Sequence, residues 1–317
     1  MNTVQQYVPL KGSGHVALPI SVIVPVRNEA RNLPRCLESL RCMGEVYVID
    51  SFSSDATGQI AQSFGAKVVQ FNYRGGWPKK RQWALDKLQF GYDWILLLDA
   101  DEALTPELLF EIQHAIQDPR FDGYFIQLRM HFLGRALRHG DASFYKLSLF
   151  RRGKGHFECR LANQDASMAD MEVHEHIVVD GPVSKLSNFV SHHNVESLSH
   201  YISKHNQYSN WESQVLESRE SASALSPALF GTQAQRRRWL KLKLLRLPGS
   251  PFLLFLYRYI LRLGFLDGIP GLIYCGMQAI QLFHTKAKMY ELRLGSKPPA
   301  SAQVPLDVPQ IRSLREC

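Results

Sequence analysis

Two carboxylates, Asp99 and Asp101, follow the apolar run 94–98 in this chain of 317 residues. Carboxylates at positions i and i+2 supply hard oxygen ligands, which suit Mg²⁺ or Mn²⁺ at a site that also binds substrate phosphates. A continuous apolar run of this length is typical of a strand that is buried on both faces of a parallel sheet. Ligands of open α/β sheets bind at the carboxyl ends of the strands, where these two acids stand. The spacing therefore predicts a site for a divalent cation and a diphosphate.

Residues 20–117 alternate between strand-like and helix-like patterns. Leu33, Leu37 and Leu40 repeat at helical spacing, and Thr105 precedes a proline and an acid, which is the pattern of a helix start. Strands and helices that alternate in this way require right-handed crossovers and so produce a parallel sheet. The pattern predicts strands at 20–25, 46–49, 67–71 and 94–98, and a mixed or antiparallel edge formed by 123–130 and 144–150.

Changes in composition divide the chain into four parts. An N-terminal extension, residues 1–19, precedes an α/β domain at 20–195, in which 155–195 gives no clear periodic pattern. Residues 196–293 predict a helical region that is both basic and apolar. Residues 294–317 are rich in Pro, Ser and Ala, which is typical of a disordered tail.

The net charge of +8 and the pI of about 9.2 permit nucleic acid, anionic lipid or phosphorylated ligands as partners. The five cysteines are odd in number and form no Cys-x-x-Cys pair, which argues against a disulfide framework or a zinc site and favours a reducing compartment. The first residues lack the basic and then apolar pattern of a signal peptide. We therefore expect a cytoplasmic protein.

The region 221–266 contains no acidic residue but several Arg and Lys side chains, which alternate with Trp and Leu. The apolar stretches 252–257 and 269–283 are shorter than the roughly 18–20 apolar residues of a membrane-spanning helix, and Pro and Gly interrupt them. A basic amphipathic segment of this kind is typical of the interface of an anionic membrane. The alternative is a buried helical subdomain with a solvated basic face. No nucleic-acid partner is expected, because the apolar stretches would have no role in binding one.

Two further polar segments follow predicted strands at the same edge as the acids: Pro25–Glu29 after the first strand and Asp50–Asp55 after the second. Together with Asp99–Glu102, they resemble the family-2 glycosyltransferases, and within them the bacterial lipopolysaccharide-core β-1,4-glucosyltransferases. The resemblance implies a GT-A fold, a Rossmann-like, mixed but mainly parallel sheet flanked by helices. The composition described above adds the expectation that the helical C-terminal region associates with a membrane. The resemblance extends from residue 20 to about residue 293 and includes Lys80–Leu85, Val173–Glu175 and Gly264–Gly271.

The resemblance implies a pocket for the nucleoside of a UDP-sugar, because loops on a rigid sheet can supply fixed donors and acceptors to a uracil edge. Asn28 and Glu29 would line this pocket, or else they would merely begin the next helix. Asp55 has the alternative role of a helix cap. The residues expected on the nucleoside side are Pro25, Arg27, Asn28, Glu29, Asp50 and Ser51.

The same resemblance implies the contacts of the diphosphate and the metal ion. Lys80 and Arg81 would be charge-assisted donors to the phosphates, with a solvated helix face as the alternative. Asp101 would bind Mg²⁺ or Mn²⁺ directly, and Asp99 would contact the ribose or a metal-bound water. His174 would be a third metal ligand or a phosphate donor, although a lone His is more often a satisfied polar residue.

An inverting transfer also requires a base that takes the proton of the acceptor hydroxyl as its oxygen attacks the anomeric carbon. Alignment of the Val-His-Glu segment selects Glu175. Asp170 and Glu172 are alternatives, and alternation along a strand would turn Glu172 to the face opposite Glu175. The basic pair 151–152 either contacts phosphates of the donor or acceptor or forms a solvated strand end.

These features together predict an inverting, metal-dependent hexosyltransferase that is peripheral on the inner face of a bacterial inner membrane. It would move glucose from a UDP-sugar to a lipid-linked glycan acceptor such as the lipopolysaccharide inner core. One alternative is a family-2 transferase that acts on an undecaprenyl-diphosphate-linked sugar. A sugar nucleotidyltransferase is disfavoured because residues 25–32 contain no glycine for a phosphate loop. A non-catalytic membrane-docked scaffold is disfavoured because the acids are intact.

Overall fold

The structure, a computed structural model, describes residues 17–159, 170, 172, 175–193, 198–217, 228, 230 and 233–295. The strands are β1 Leu18–Val26, β2 Met43–Asp50, β3 Lys67–Gln70, β4 Trp94–Leu97, β5 Glu102–Leu104, β6 Gly123–Phe132, β7 Arg135–Ala136, β8 Phe144–Arg151, β9 Gly155–Phe157, β10 Ile177–Val179 and β11 Val183–His193. The helices are α1 Leu33–Ser39, α2 Thr57–Ser63, α3 Lys80–Lys87, α4 Pro106–Ala115, α5 Leu198–Glu217, α6 Gln233–Arg246, α7 Ser250–Leu256 and α8 Gly268–Gly295, with a π-helical turn Tyr257–Leu261 and a 3₁₀ turn Gly264–Asp267.

The main sheet has the strand order β3-β2-β1-β4-β8-β6-β11-β5, and β7 pairs with β6. Strands β3, β2, β1 and β4 are parallel to one another, and β6 is parallel to β11. Strand β8 runs antiparallel between β4 and β6, and β5 is antiparallel to β11. This mixed sheet with flanking helices confirms the predicted fold class.

The apolar runs of the central strands are buried on both faces of the sheet, as their composition predicts. Alternate residues of β1 enter two different cores: Val22 and Val24 pack with Leu37, whereas Ile23 packs with Ala84. Helices α1 and α3 therefore cover opposite faces, which is the arrangement that a continuous apolar strand requires.

Three strands of the main sheet, β5, β7 and β11, are missed by the sequence patterns. In β11 the pairing register shifts between Lys185 and Phe189, so the two-residue alternation of its side chains is interrupted. Strand β5 has only three residues and begins directly after the acidic pair. Because β5 pairs with β11, it places Glu102 opposite His192.

Helix α5 connects the sheet with the C-terminal helices. It packs along α8, where Thr285 Oγ1 donates to Glu212 Oε2 at 3.2 Å and Gln278 Nε2 donates to the Tyr201 hydroxyl at 3.0 Å. Tyr201 also belongs to a core that includes Phe132 of β6. Among the described helices, none is long and apolar enough to span a membrane.

The segment 264–271 folds into a tight turn against the β6–β7 hairpin. A Cβ atom on Gly271 would lie 2.2 Å from the carbonyl oxygen of Gly264, so this approach requires glycine. The buried Asp267 carboxylate accepts the backbone N–H groups of Arg138 at 3.1 Å and His139 at 2.8 Å. The segment 264–271, which is part of the resemblance, therefore has a structural role in this turn.

Replacing Asp267 with Ala should lower the free energy of unfolding by about 2 kcal/mol, because two N–H groups would lose a buried, charged acceptor. Urea unfolding measures this change. Asp86→Ala is the matched control, because the Asp86 carboxylate is on an exposed residue of α3, and it should change stability by less than about 0.5 kcal/mol. Equal urea midpoints for the Asp267→Ala and Asp86→Ala variants would contradict this structural role of Asp267.

Candidate active site

The polar segments expected at one edge of the sheet lie there, because β1, β2 and β4 are parallel neighbours. Val26 is in register with Asp50, so the chain leaves both strands side by side. Pro25 is buried within β1, whereas the Arg27 side chain is exposed just beyond it. This edge, called the rim, is formed by residues 26–30, 50–55 and 99–102.

Asn28 links the first two segments of the rim. Its backbone is left-handed, with a φ of 56°, a conformation that Asn tolerates better than most residues. Its N–H donates to Ser53 Oγ at 2.9 Å, and the Glu29 N–H donates to Thr57 Oγ1 at 2.8 Å. Helix α1 begins at Leu33, and the Glu29 carbonyl accepts the N–H groups of Asn32 at 3.0 Å and Leu33 at 2.9 Å, so Glu29 also leads into this helix, whereas Asn28 ties the first segment to the second.

Two acids of the second segment stabilise the rim by accepting hydrogen bonds from its backbone and from α2. Asp50 accepts a hydrogen bond from the Ser53 N–H at 3.0 Å. Asp55 accepts from the Thr57 N–H at 3.0 Å and from the Ala30 N–H at 3.1 Å. Asp55 therefore serves both the start of α2 and the first rim segment.

Lys80 is buried beneath the rim. Its Nζ lies 3.0 Å from Asp170 Oδ2 and donates to the Val26 carbonyl at 2.9 Å. The Ser51 hydroxyl donates to the same Asp170 oxygen. Burial lowers the pKa of Lys80, and the Asp170 carboxylate offsets only part of that effect. The interpretation of this helix start as a solvated face is wrong.

Asp99 stands between two cations. The Arg81 guanidinium pairs with Oδ1, and Lys146 Nζ lies 3.0 Å from Oδ2. Burial alone would raise the pKa of Asp99, but Arg81 and Lys146 outweigh it and hold that pKa well below its usual range. Asp99 is therefore ionised and positions Arg81 at the rim.

Asp101 and Glu102 form a second cluster. His192 Nδ1 lies 3.6 Å from Asp101 Oδ1, and Lys204 Nζ of α5 lies 3.9 Å from Asp101 Oδ2. Glu102 Oε1 is 3.5 Å from His192 Nδ1 and 3.6 Å from Lys146 Nζ. Although it is buried, this oxygen makes no direct hydrogen bond within the described part of the chain.

These oxygens fit a hydrated divalent cation. The Asp101 carboxylate is held by the two nitrogens only at ion-pair distance, and Glu102 Oε1 can accept a metal-bound water. Mg²⁺ needs only one or two protein carboxylates where phosphates and waters complete its shell. The described residues contain no group of three or more His, Cys, Asp and Glu side chains placed to hold a metal ion. His174 lies outside the described residues.

Glu175 lies in an enclosed ion pair next to the rim. Its Oε1 is 3.0 Å from Lys79 Nζ, and both side chains are 0 % exposed. Trp211 of α5 covers the ammonium, with 4.9 Å between Nζ and the ring centroid. Lys79 directly precedes Lys80 and Arg81, so the pair adjoins the phosphate side of the rim.

The two alternative base residues hold the local structure together. Glu172 accepts the N–H groups of Arg81 at 3.1 Å and Gln82 at 2.9 Å, and so caps α3. Asp170 pairs with Lys80 and accepts a hydrogen bond from Ser51. Glu172 and Glu175 lie outside strands, so the expected alternation along a strand is wrong.

Arg151 and Arg152 lie at the other end of β4. The register pairs Arg151 with Trp94, the first residue of β4, whereas the acids of the rim follow its last residue. Arg151 Nε is 3.4 Å from Asp122 Oδ1, and Arg152 Nη2 is 3.0 Å from Asp93 Oδ1. The prediction that these arginines contact phosphates at the site is wrong.

Several charged groups of the rim are missed by sequence reasoning. They come from β8, β11 and α5, each as a single residue without a motif. The one available signal is the lysine within the otherwise strand-like stretch 144–150, because a charge in a buried strand requires a partner. The missed residues are Lys146, His192 and Lys204. Glu102 stands within the expected acidic segment, although the sequence analysis gives it no role of its own.

The protonation of His192 should make stability depend on pH. Burial disfavours the imidazolium, but the Asp101 and Glu102 carboxylates outweigh it and raise the pKa of His192. Its contribution is therefore complete below the ordinary pKa of about 6.5 and is lost as pH rises through the raised value. As the pH rises from about 6 to about 8, wild type should therefore lose more stability than His192→Gln. Urea midpoints across this range test this, and parallel curves would contradict it.

Comparison with known proteins gives matches to glycosyltransferases. Residues 21–176 match the family model of glycosyl transferase family 2. The lipopolysaccharide core biosynthesis glycosyltransferase LpsC of Rhizobium meliloti is 28% identical over 284 residues, covering 86% of this chain and 93% of LpsC. An uncharacterized glycosyltransferase of Rickettsia felis is 25% identical over 286 residues, covering 88% of this chain and 92% of that protein.

Solved structures with similarity include TarS 1–349 of S. aureus, with 17% identity, a TM-score of 0.41, and coverage of 87% of this chain and 91% of TarS. Another is glucosyl-3-phosphoglycerate synthase of Mycobacterium tuberculosis in complex with Mn²⁺, UDP and glucosyl-3-phosphoglycerate. It has 23% identity, a TM-score of 0.29, and coverage of 35% of this chain and 44% of the synthase. From the family match, the sheet and the rim, residues 21–176 belong to glycosyltransferase family 2, and the chain has the GT-A fold and resembles the lipopolysaccharide-core enzymes of that family.

Proposed function

We propose that this glycosyltransferase is an inverting, metal-dependent enzyme that moves a hexose, glucose, from a UDP-sugar to a lipid-linked glycan such as the lipopolysaccharide inner core. The observation that carries the proposal is the continuity of the rim. Ser51, Asp170 and Lys80 connect the second rim segment to α3, and Arg81 connects α3 to Asp99. One edge of the sheet therefore holds polar groups for a nucleoside, cations for a diphosphate and acids for a metal ion.

The nucleoside side of the site is the first half of the rim. Hydrogen bonds that tie Asn28 to the second segment and Glu29 to the start of α2 fix these loops before a ligand arrives, which lowers the entropic cost of binding. The uracil and ribose would lie against this preformed surface. The residues proposed to line it are Pro25, Arg27, Asn28, Glu29, Asp50 and Ser51.

The phosphate side combines acids and cations. Asp101, with Glu102 behind it, would hold Mg²⁺ or Mn²⁺, which when bound neutralises the charge of the departing nucleoside diphosphate. Arg81, Lys146 and Lys204 surround these acids and would donate to phosphate oxygens as Lys204 turns from Asp101 to the ligand. Asp99 keeps Arg81 oriented for this contact.

Glu175 is the proposed base. Its carboxylate would take the proton of the acceptor hydroxyl as that oxygen forms a bond to the anomeric carbon and the bond to the UDP oxygen breaks on the opposite face. Lys79 compensates the buried negative charge at 3.0 Å. Because Trp211 covers this pair, the acceptor would enter on the side of α5 and displace the indole.

The proposed acceptor and location rest on the relative LpsC and on charge. LpsC carries the name of a lipopolysaccharide core enzyme, and similarity to it covers 86% of this chain. The net charge of +8 favours an anionic membrane surface on the inner face of the inner membrane. The C-terminal helices would be the part of the protein that contacts this membrane surface.

A panel of nucleotide sugars tests the proposal. The purified full chain, Mn²⁺ and either lipopolysaccharide inner core or an undecaprenyl-diphosphate-linked sugar are mixed with UDP-glucose, UDP-galactose, UDP-N-acetylglucosamine or GDP-mannose. Metal-dependent transfer from UDP-glucose to the inner core is expected. Transfer only to the undecaprenyl acceptor would correct the acceptor class, and no turnover with any donor would favour a scaffold and refute the enzyme.

A further inference from the structure

The chain from α7 through the following turns to the first turn of α8 exposes several large apolar side chains. Ile269 is 73% exposed and Leu261 is 72% exposed, whereas Cys275 of α8 is buried in the core. The tight turn at Gly264 and Gly271 fixes the conformation that presents them. The exposed residues are Phe252, Ile260, Leu261, Phe265, Leu266 and Ile269.

The tip of the β6–β7 hairpin lies beside these residues. Arg135 Nη2 donates to the Leu266 carbonyl at 3.4 Å, and Asp267 accepts the N–H groups at the base of the hairpin. Leu133, at the tip, is 39% exposed. We call the face formed by 133–138 and 252–272 the hairpin–turn surface.

The charges at this surface are mostly positive. Arg135 and Arg138 are exposed, and the Arg262 side chain is 52% exposed. One partly buried acid, Asp141, lies at about ion-pair distance from Arg262, at 3.8 Å. Exposed apolar groups bordered by arginines complement a bilayer that contains anionic lipid, since the apolar groups can enter the acyl boundary while guanidinium groups remain among the phosphates.

We propose that the hairpin–turn surface docks on an anionic lipid bilayer and sets the distance between that bilayer and the rim. The register pairs Met130 with His192, whose Nδ1 is 3.6 Å from Asp101. Leu133 lies three residues further along, which corresponds to about 10 Å of extended chain. The site therefore takes an amphiphilic acceptor whose reacting hydroxyl lies within the first sugars above the headgroups. This inference rests on the proposed function.

Flotation with vesicles of phosphatidylethanolamine and phosphatidylglycerol tests the docking with the full chain. The variant Leu261→Asn/Phe265→Asn/Ile269→Asn should lower the bound fraction about 10-fold or more, because it removes the apolar anchors. Phe110→Asn is the matched control: Phe110 is 67% exposed on α4, and binding should equal that of wild type. Both variants should retain wild-type hydrolysis of the UDP-sugar. With phosphatidylcholine vesicles, binding of wild type should be weak.

Undiminished vesicle binding by the triple variant, or no binding by wild type, would overturn the docking. A wild-type dimer in solution that becomes monomeric in the triple variant would also overturn it, because a second copy would then cover this surface. A different result would refute the proposed function: no turnover of the UDP-sugar by wild type in the absence of vesicles. Vesicle binding without such turnover would leave the docking in place and remove only the enzyme assignment.

Discussion

Asp101→Asn should lower the turnover of the UDP-sugar by about 10³-fold while the protein stays folded. The reason is that the proposed metal ion, which Asp101 would bind, supplies several kcal/mol of transition-state stabilisation. The substitution keeps the size of the side chain and removes the charge that a divalent cation requires. Glu102 remains beside His192 at 3.5 Å, so that imidazole keeps one of its two carboxylate neighbours. Most of the loss should therefore come from metal binding and little from stability.

Calorimetric titration of Mn²⁺ in the presence of UDP separates these effects from activity. Wild type should bind the ion, Asp101→Asn should bind it at least about 10-fold more weakly, and chelation by EDTA should bring wild type down to the turnover of the variant. Asp86→Asn, an exposed carboxylate change on α3, should behave as wild type in both assays. Wild-type turnover by Asp101→Asn, or turnover of wild type that survives EDTA, would refute the metal site.

The first half of the fold follows from the sequence because its signals are local. Strands β1 to β4 are apolar runs, and the start of α4 carries its own markers: Thr105 accepts the Leu108 N–H at 3.2 Å, with a proline at the first helical position. Parallel pairing then places the rim segments together without further information. The second half depends on long-range pairing, because the bulge in β11 and the short β5 leave no periodic signal.

The acids of the site could be predicted, but their cations could not. Asp99 and Asp101 follow a recognisable strand, so their position has a sequence pattern. Lys146 and Lys204 reach them from β8 and α5, and only the tertiary structure determines that these side chains meet the rim. Lys80 and Arg81 are expected at the phosphates from the resemblance, but no local pattern indicates that they are buried.

One sequence pattern lies in α6, outside the three segments that form the rim. Gln235–Trp239 has the Gln-x-x-Arg-Trp pattern typical of processive polysaccharide synthases in this family. It lies at the start of α6, and within the described helices α6 packs on α7. The resemblance to the lipopolysaccharide-core enzymes rests on the similarity to LpsC over most of the chain.

Glu175→Gln should abolish transfer by about 10²–10⁴-fold and leave the affinity for the UDP-sugar unchanged, because the amide cannot accept the proton of the acceptor hydroxyl. The amide oxygen still faces Lys79, so the enclosed contact at 3.0 Å keeps an acceptor. Transfer under single-turnover conditions and the dissociation constant of the UDP-sugar, measured on the same preparation, distinguish lost chemistry from lost folding.

Glu172→Gln is the matched variant, since Glu172 is equally enclosed, lies three positions away and holds α3 through two N–H groups, which an amide oxygen can still partly accept. It should lower stability by about 1 kcal/mol and keep transfer within about 10-fold of wild type. If the two variants exchange these outcomes, the base is Glu172, and α3 must then release its cap during the reaction. If both variants transfer normally, the proton goes to a group outside this segment, and the enclosed pair of Lys79 and Glu175 serves only to hold α3 and α5 together.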